Sequence, residues 1–347
     1  MKKPYTVFVI VLFAALMLVV AFSLVYLHAN DAFIQSTNEK FVESVKKPNY
    51  HFVVIAQSTD DPFWSEVKKG AFEAAKAFNV AVEFNGPRFT NINEELQYLN
   101  IAIASKVDGI ATHVLDETQF TPVIDTAISK NIPVITIESD AKKSKRLSFI
   151  GTNNFQLGSL GGKLMAEATG GNAKVAVVLN SYTDEVGDVA QNLRIAGFRD
   201  AVKGFSDKIE IKVIRMSRMG ILSAGEITNE IINNYPEINA IFCTNAKDTV
   251  GTAQVVVDLN KVGDIKIIGY GDLPEIWRYV DKEVIYGTVV SNPVEMGYES
   301  IKALTELKKS KSTSAYVDTG LHGVTRKNLD EYMKKADSKK EQGVSND

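Results

Sequence analysis

Two carboxylates, a proline and two adjacent aromatic rings make up Asp60-Asp61-Pro62-Phe63-Trp64. A carboxylate accepts hydrogen bonds from hydroxyls, and a flat ring packs on the C–H face of a small ring and fixes its orientation. Pro62 suits the first turn of a helix, where its missing N–H would be unpaired anyway. Neighbouring helical positions point about 100° apart, so Phe63 and Trp64 do not both face one core stripe. The segment reads as one wall of a site for a small ligand. Further polar groups follow apolar runs in the same manner. His113 comes after Ala111-Thr112, and Asp140 after Ile137-Glu138-Ser139. Asn192 and Arg194 lie on a helix that opens after a polar loop. Asn245 follows Ala240–Thr244, Asp272 follows Gly269-Tyr270-Gly271, and Ser291-Asn292 follow Val289-Val290. Each alone is a weak signal; together they point to one site built from strand ends.

The same residues argue against other chemistry. One cysteine and four histidines form no cluster with metal-ligand spacing. Cys243, in Ala240-Ile241-Phe242-Cys243, reads as a small buried hydrophobe. No paired nucleophile and base and no cofactor fingerprint stands at a strand end, so neither catalysis, a cofactor nor a metal is expected. Gly158-x-x-Gly161-Gly162-Lys163 lacks the spacing of a phosphate loop, and Leu164 stands where that loop needs Ser or Thr. Close helix packing explains those glycines better. Arg146 and Arg194 are expected on an exposed loop and an exposed helix face.

The elements that must position these groups alternate. Strands are expected at His51–Gln57, Val80–Phe84, Gly109–His113, Pro133–Glu138 and Leu147–Gly151, with helices between them. The pattern then restarts, with strands at Lys174–Leu179, Glu210–Arg215, Ala240–Thr244, Lys266–Tyr270 and Val284–Val290. The run Val53-Val54-Ile55-Ala56 is continuously apolar, as a parallel strand covered on both faces is. The halves echo each other: Val67–Phe78 resembles Leu193–Phe205, and Val107–His113 resembles Ile238–Thr244. The fold class read from this is α/β, with two similar doubly wound parallel-sheet lobes. In such sheets ligands bind beyond the carboxyl ends of the strands.

With 347 residues, 45% hydrophobic and 23% charged, the chain has room for two ordinary domains. Its net charge of -3 gives no basic excess for nucleic acid. Lys2 and Lys3 precede an uncharged apolar run from Val7 to Leu27, long enough to span a bilayer. An uncleaved signal anchor, a transmembrane helix within residues 1–30, is expected, with the globular part extracytoplasmic. No cysteine follows the run to carry a lipid. Residues 31–48 read as a stalk and 334–347 as a disordered tail.

At this point a resemblance becomes specific. Its carriers are Asp61-Pro62-Phe63-Trp64, Ile132-Pro133-Val134-Ile135 with Asp140, and Phe149-Ile150-Gly151-Thr152-Asn153-Asn154 followed by Gly158 and Gly161-Gly162. They continue with Arg194-x-x-Gly197-Phe198, Ala240-Ile241-Phe242 with Asn245, Ile268-Gly269-Tyr270 and Pro293-x-x-x-Gly297. The chain resembles the type I periplasmic sugar-binding proteins, the ribose/galactose/xylose-binding group that shares its fold with the ligand domain of LacI-type repressors. The match runs over about residues 49 to 330. It implies lobes of residues 49–153 plus 292–318 and 154–291 plus 319–333, joined by three hinge crossings near Asn153, Ser291-Asn292 and Asp318. It implies ligand positions at Asp61, Phe63, Trp64, His113, Asp140, Asn192, Met219, Asn245 and Ser291. Departures from the family pattern are Ala141 for a frequent arginine, Asn192 for another, and Gly271 for the usual aspartate, with Asp272 one residue later.

The expected function is capture of a small sugar or polyol between the lobes. The membrane anchor favours a sensor that passes closure to a membrane partner, a two-component histidine kinase. The alternative is the substrate-binding component that feeds an ABC permease. A repressor is disfavoured because a membrane span stands where a helix-turn-helix would be.

Overall fold

The computed structural model describes residues 47–180, 189–205, 208–217 and 220–335, with Met17 and Ser23. All of the expected span Val7–Leu27 but Met17 and Ser23, and nearly all of the stalk, lie outside these residues. Among the described residues no helix is long and apolar enough to cross a membrane. From Tyr50 onward the described residues belong to one unit.

The first half runs β1 (His51–Ile55), α1 (Pro62–Phe78), β2 (Ala81–Asn85), α2 (Ile92–Ala104), β3 (Gly109–Thr112), α3 (Glu117–Ser129), β4 (Val134–Ile137) and β5 (Ser148–Gly151). The second runs α4 (Asn154–Thr169), β6 (Ala173–Asn180), α5 (Val189–Ala201), β7 (Ile209–Ser217), α6 (Ile221–Asn234), β8 (Ala240–Cys243), α7 (Ala246–Asp258), β9 (Lys266–Tyr270), α8 (Pro274–Asp281) and β10 (Gly287–Ser291). Then come α9 (Pro293–Ser310), β11 (Tyr316–Asp318) and β12 (Leu321–Thr325).

Two six-stranded sheets result among the described residues, ordered β11-β5-β4-β3-β1-β2 and β12-β10-β9-β8-β6-β7. β1 lies between β2 and β3 and is parallel to both, so four of its five residues are buried. All pairings are parallel except β10 with β12. The chain passes between the sheets three times: after β5, after β10, and between β11 and β12. At the last crossing Gly320 takes φ +81, a left-handed turn that glycine adopts without strain. Thr152 Oγ1 lies 3.5 Å from both Thr319 Oγ1 and Gly320 O, so two of the crossings touch.

Apolar clusters fill each lobe on both faces of its sheet. Phe52, Val54, Trp64, Val67, Met296 and Leu304 pack together in the first lobe, which assigns α9 to it although α9 follows a strand of the second. Leu157, Met165, Phe198 and Phe242 pack together in the second. Both lobes contain the same device. A Cβ on Gly70 would lie 1.8 Å from Val294 O, and one on Gly297 1.9 Å from Val67 O. A Cβ on Gly158 would lie 1.8 Å from Arg194 O, and one on Gly197 1.9 Å from Phe155 O. Reciprocal glycines thus bring α1 against α9 and α4 against α5 at backbone contact. This accounts for Gly158. A last helix runs through 329–335, with Leu329 and Tyr332 packed on the second lobe, and includes the first two residues of the tail expected over 334–347. Residues 336–347 lie outside the described residues.

Candidate functional site

The site is built where the carboxyl ends of the two sheets meet. β4 ends at Ile137, and Glu138 turns the chain with φ 65. That conformation is strained for a non-glycine residue and persists only where its surroundings fix it. Here Glu138 N donates to Ile150 O at 3.0 Å, and Asn154 Nδ2 donates to Glu138 O at 3.0 Å. The side chain, 13% exposed, then points at the second lobe, where Arg194 Nη2 donates to Glu138 Oε1.

Arg194 is set by its own lobe. Its carbonyl is the atom that Gly158 touches, so the α4–α5 approach fixes where the side chain starts. Arg194 Nε donates to Asn154 Oδ1 at 2.8 Å and Nη1 to Thr244 O at 2.9 Å. The guanidinium stacks over the Tyr270 ring at 5.1 Å, a favourable cation–π placement. Tyr270 Oη lies 2.7 Å from Ser291 Oγ. Burial pushes the Tyr270 phenol up to about 12 despite the Arg194 charge and the Ser291 contact, so it stays neutral. Burial alone would raise Glu138, but the charges of Arg194 and His113 and their hydrogen bonds outweigh it and hold the carboxyl below its usual range.

His113 follows β3. Its Nδ1 is 3.0 Å from Glu95 Oε1, on α2, and its Nε2 is 3.5 Å from Glu138 Oε2. The ring meets Trp64 edge-on, centroids 5.5 Å apart, and Trp64 meets Phe63 the same way at 5.5 Å. Burial pulls the imidazole down, but Glu95 and Glu138 outweigh it and carry it up to about 10.

A second contact joins the lobes through α7. Lys247 Nζ lies 3.9 Å from Asp61 Oδ2 and donates to Asp60 O at 3.3 Å. Beside it Asp248 is buried, accepting from Ser217 Oγ and Asn245 Nδ2. Burial and the Asp61 charge push Asp248 up to about 7 against those two hydrogen bonds. Burial likewise raises Asp61.

The residues expected from the sequence fall into distinct places. Asp61 caps α1, accepting from Phe63 N at 2.9 Å, and faces Lys247. Phe63 is partly buried, and Trp64, 2% exposed, is also part of the first-lobe core. His113 and Ser291 join the central network. Asn245 caps α7 and holds Asp248. Asn292 caps α9, accepting from Glu295 N at 3.2 Å. Asp140 is paired within its own lobe. Arg146 Nε and Nη2 donate to its two oxygens at 2.6 and 2.7 Å, and Thr136 Oγ1 donates at 2.9 Å. The strand-end acid that reaches the other lobe is Glu138, two residues earlier. Asn192 and Asp272 are exposed. Met219 lies outside the described residues.

Sequence reasoning missed Glu138, Glu95, Tyr270, Lys247 and Asp248, and it favoured an exposed helix face for Arg194. Glu138 carried a signal, being the first polar residue after β4. Arg194 differs from its expected exposed position because the reciprocal glycines press its helix against α4. Glu95 carried no local signal: an acid in the first turn of a helix usually serves the helix dipole.

Two α/β lobes whose strand ends meet across charged and aromatic side chains, with three crossings between them, define a hinged ligand-binding protein. The chain belongs to the periplasmic binding protein domain family, whose model matches residues 52–312. It is 23% identical over 268 residues to the D-allose-binding periplasmic protein of Escherichia coli K12, covering 75% of this chain and 85% of that one. Among solved structures, GanP, a glucose-galactose binding protein from Geobacillus stearothermophilus, is 39% identical with a TM-score of 0.77, over 82% of this chain and 99% of that one. A chain of the XylFII-LytSN complex is 32% identical with a TM-score of 0.75, over 81% of this chain and 99% of that one.

Proposed function

We propose that this protein captures a small neutral sugar or polyol between its lobes and performs no catalysis. The observation that carries this is the Glu138–Arg194 pair, which puts acceptor and donor groups from opposite lobes at one point, next to His113 and the Phe63–Trp64 edge. A polyhydroxylated ring both donates and accepts and presents apolar C–H faces, which that mixture suits. Ser139 Oγ and Thr244 Oγ1, at strand ends of opposite lobes, are buried without a hydrogen-bond partner among the described residues. Buried hydroxyls ask for partners, and ligand hydroxyls would supply them. Asp61, Phe63, His113, Asn245, Ser291 and Asn292 remain candidates for contact, with Glu138 and Arg194 added. The relatives that bind D-allose, glucose and galactose support the ligand class.

The globular part works outside the cytoplasmic membrane, held there by the apolar run Val7–Leu27. As an anchored sensor it passes closure to a two-component histidine kinase. The similarity to a chain of the XylFII-LytSN complex supports that partner. Feeding an ABC importer is the second reading, supported by the likeness to ribose import binding proteins and to a solute-binding protein of an ABC transporter. Closure signals only where the partner prefers one arrangement of the lobes.

The test is a thermal-shift panel of D-allose, D-ribose, D-xylose, D-arabinose, D-glucose, D-galactose and common polyols on the purified protein. One or two members are expected to raise the melting temperature, and the sugar is expected to be recovered unchanged. A flat response across the panel, or turnover of any member, refutes the reading. Co-purification of a sensor kinase rather than a permease from membranes supports the sensor role, and the converse outcome supports the importer.

A further inference from the structure

The strand-end pair at the cleft is backed by a second carboxylate that the binding reading does not use. Glu95 sits on α2, within the first lobe, and its side chain is 0% exposed. From it runs a line of groups of alternating charge: Glu95 Oε1, His113 Nδ1 at 3.0 Å, His113 Nε2, Glu138 Oε2 at 3.5 Å, and finally Glu138 Oε1 with Arg194. A neutral imidazole has one N–H and one bare nitrogen, so against two carboxylates it would set a lone pair facing an oxygen. Only the imidazolium donates to both. Among the described residues, the groups that face His113 are Glu95 from α2, Glu138 from the end of β4 and the edge-on Trp64 ring from α1, with Arg194 from α5 acting through Glu138.

We propose that Glu95 is a positioning residue of the sugar site: it keeps His113 doubly protonated, and His113 in turn aims the Glu138 carboxylate across the cleft. This rests on the sugar-binding reading for its consequence but not for its chemistry. Glu95 touches no ligand. It works by anchoring the proton on Nδ1 so that Nε2–H stays a donor at every physiological pH. Without it the ring is a buried histidine beside a carboxylate already shared with Arg194, and burial favours its neutral form. Neutral His113 keeps a single N–H, which it can turn toward Glu138, but it has lost its charge, and the carboxylate then loses one of its two cationic partners.

The test uses the full-length chain labelled with 15N at its four histidines, the His113 signals being assigned by their loss in His113→Gln. In the wild type both ring nitrogens are expected to remain protonated through pH 8.5. In Glu95→Gln the ring is expected to lose a proton with a midpoint at or below about 7, near the ordinary histidine value of about 6.5. Affinity is then measured for the panel sugar that shifts the wild type, at pH 5.5 and 8.5. The ratio of the variant's Kd to the wild type's is expected to rise about tenfold across that range, the size of one hydrogen bond to a charged group. Taking the ratio removes the titration of Asp248, which both proteins share. The double variant Glu95→Gln/His113→Gln is expected to show no such rise, since glutamine donates without titrating. Should Glu95→Gln fold poorly, Glu95→Asp keeps the charge at a longer distance and is expected to give an intermediate midpoint.

A wild-type ring that titrates below pH 8, or a Glu95→Gln ring that stays protonated through pH 8.5, overturns the proposal. So does a double variant with the same pH profile as Glu95→Gln. If no sugar binds the wild type, the sugar-binding reading fails, and the nitrogen titration still decides the role of Glu95.

Discussion

Replacing Arg194 with methionine keeps much of the stem and removes the guanidinium. In the structure that group spans three oxygen acceptors, Asn154 Oδ1, Thr244 O and Glu138 Oε1, and covers the Tyr270 ring. Glu138 and Arg194 are 13% and 6% exposed, so solvent screens the pair little. Removing one partner of a buried ion pair costs about 3–5 kcal/mol. The lower end applies, because Glu138 keeps His113 beside it and hydrates when the lobes part. The Glu138 part of the loss falls on the contact between the lobes, while the bonds to Asn154 and Thr244 are lost within the second lobe. About 3 kcal/mol corresponds to about a 150-fold weaker sugar affinity, at 1.36 kcal/mol per decade. Isothermal titration with the sugar identified by the panel measures it, and small-angle scattering of the ligand-free chain reads the accompanying shift toward open lobes. Arg194→Lys is expected to fall between, since an ammonium replaces one arm of the planar fork. An Arg194→Met protein whose affinity stays within about threefold of the wild type, against an expected loss of about two decades, refutes the claim that this pair is part of the sugar site.

Three further outcomes follow from the geometry. Gly158→Ala puts a Cβ 1.8 Å from Arg194 O, so α4 and α5 must separate, at about 1–3 kcal/mol or more; both melting temperature and sugar affinity should fall, whereas Gly70→Ala in the other lobe should lower melting with Arg194 left in place. Asp140→Asn weakens the Arg146 pair and should lower stability by about 1–3 kcal/mol with little change in affinity; abolished binding would return Asp140 to the site. Asp248 has a folded pKa of about 7, raised by burial. Its contribution to stability is therefore complete below the unfolded value near 4 and is lost as pH rises through 7. Asp248→Asn should gain in melting temperature relative to the wild type as pH goes from 4 to 8, and a constant difference would contradict that assignment.

The alternation of strands and helices, the duplicated half and the aromatic turn at Asp61–Trp64 were all legible in the sequence. The signals are local: the apolar β-branched run of β1 reports burial on both faces, and Pro62 after Asp61 reports a helix start. Strand ends could be counted, so most residues read as site candidates do lie after strands. What the sequence left open was which polar residue at each end turns toward the other lobe. Between Glu138 and Asp140 the choice depends on a left-handed backbone at Glu138 and on Arg146 arriving from six residues beyond Asp140.

By itself, then, the sequence determined the two-lobed α/β architecture, because burial and helix periodicity are properties of neighbouring residues. Only the tertiary structure decided the charge network. Glu95, His113, Glu138 and Arg194 come from four elements, and the last joins the first three only when α4 and α5 touch at glycine and the lobes meet. A buried charge takes its role from the partners that replace its water, and for these four residues those partners lie far away along the chain.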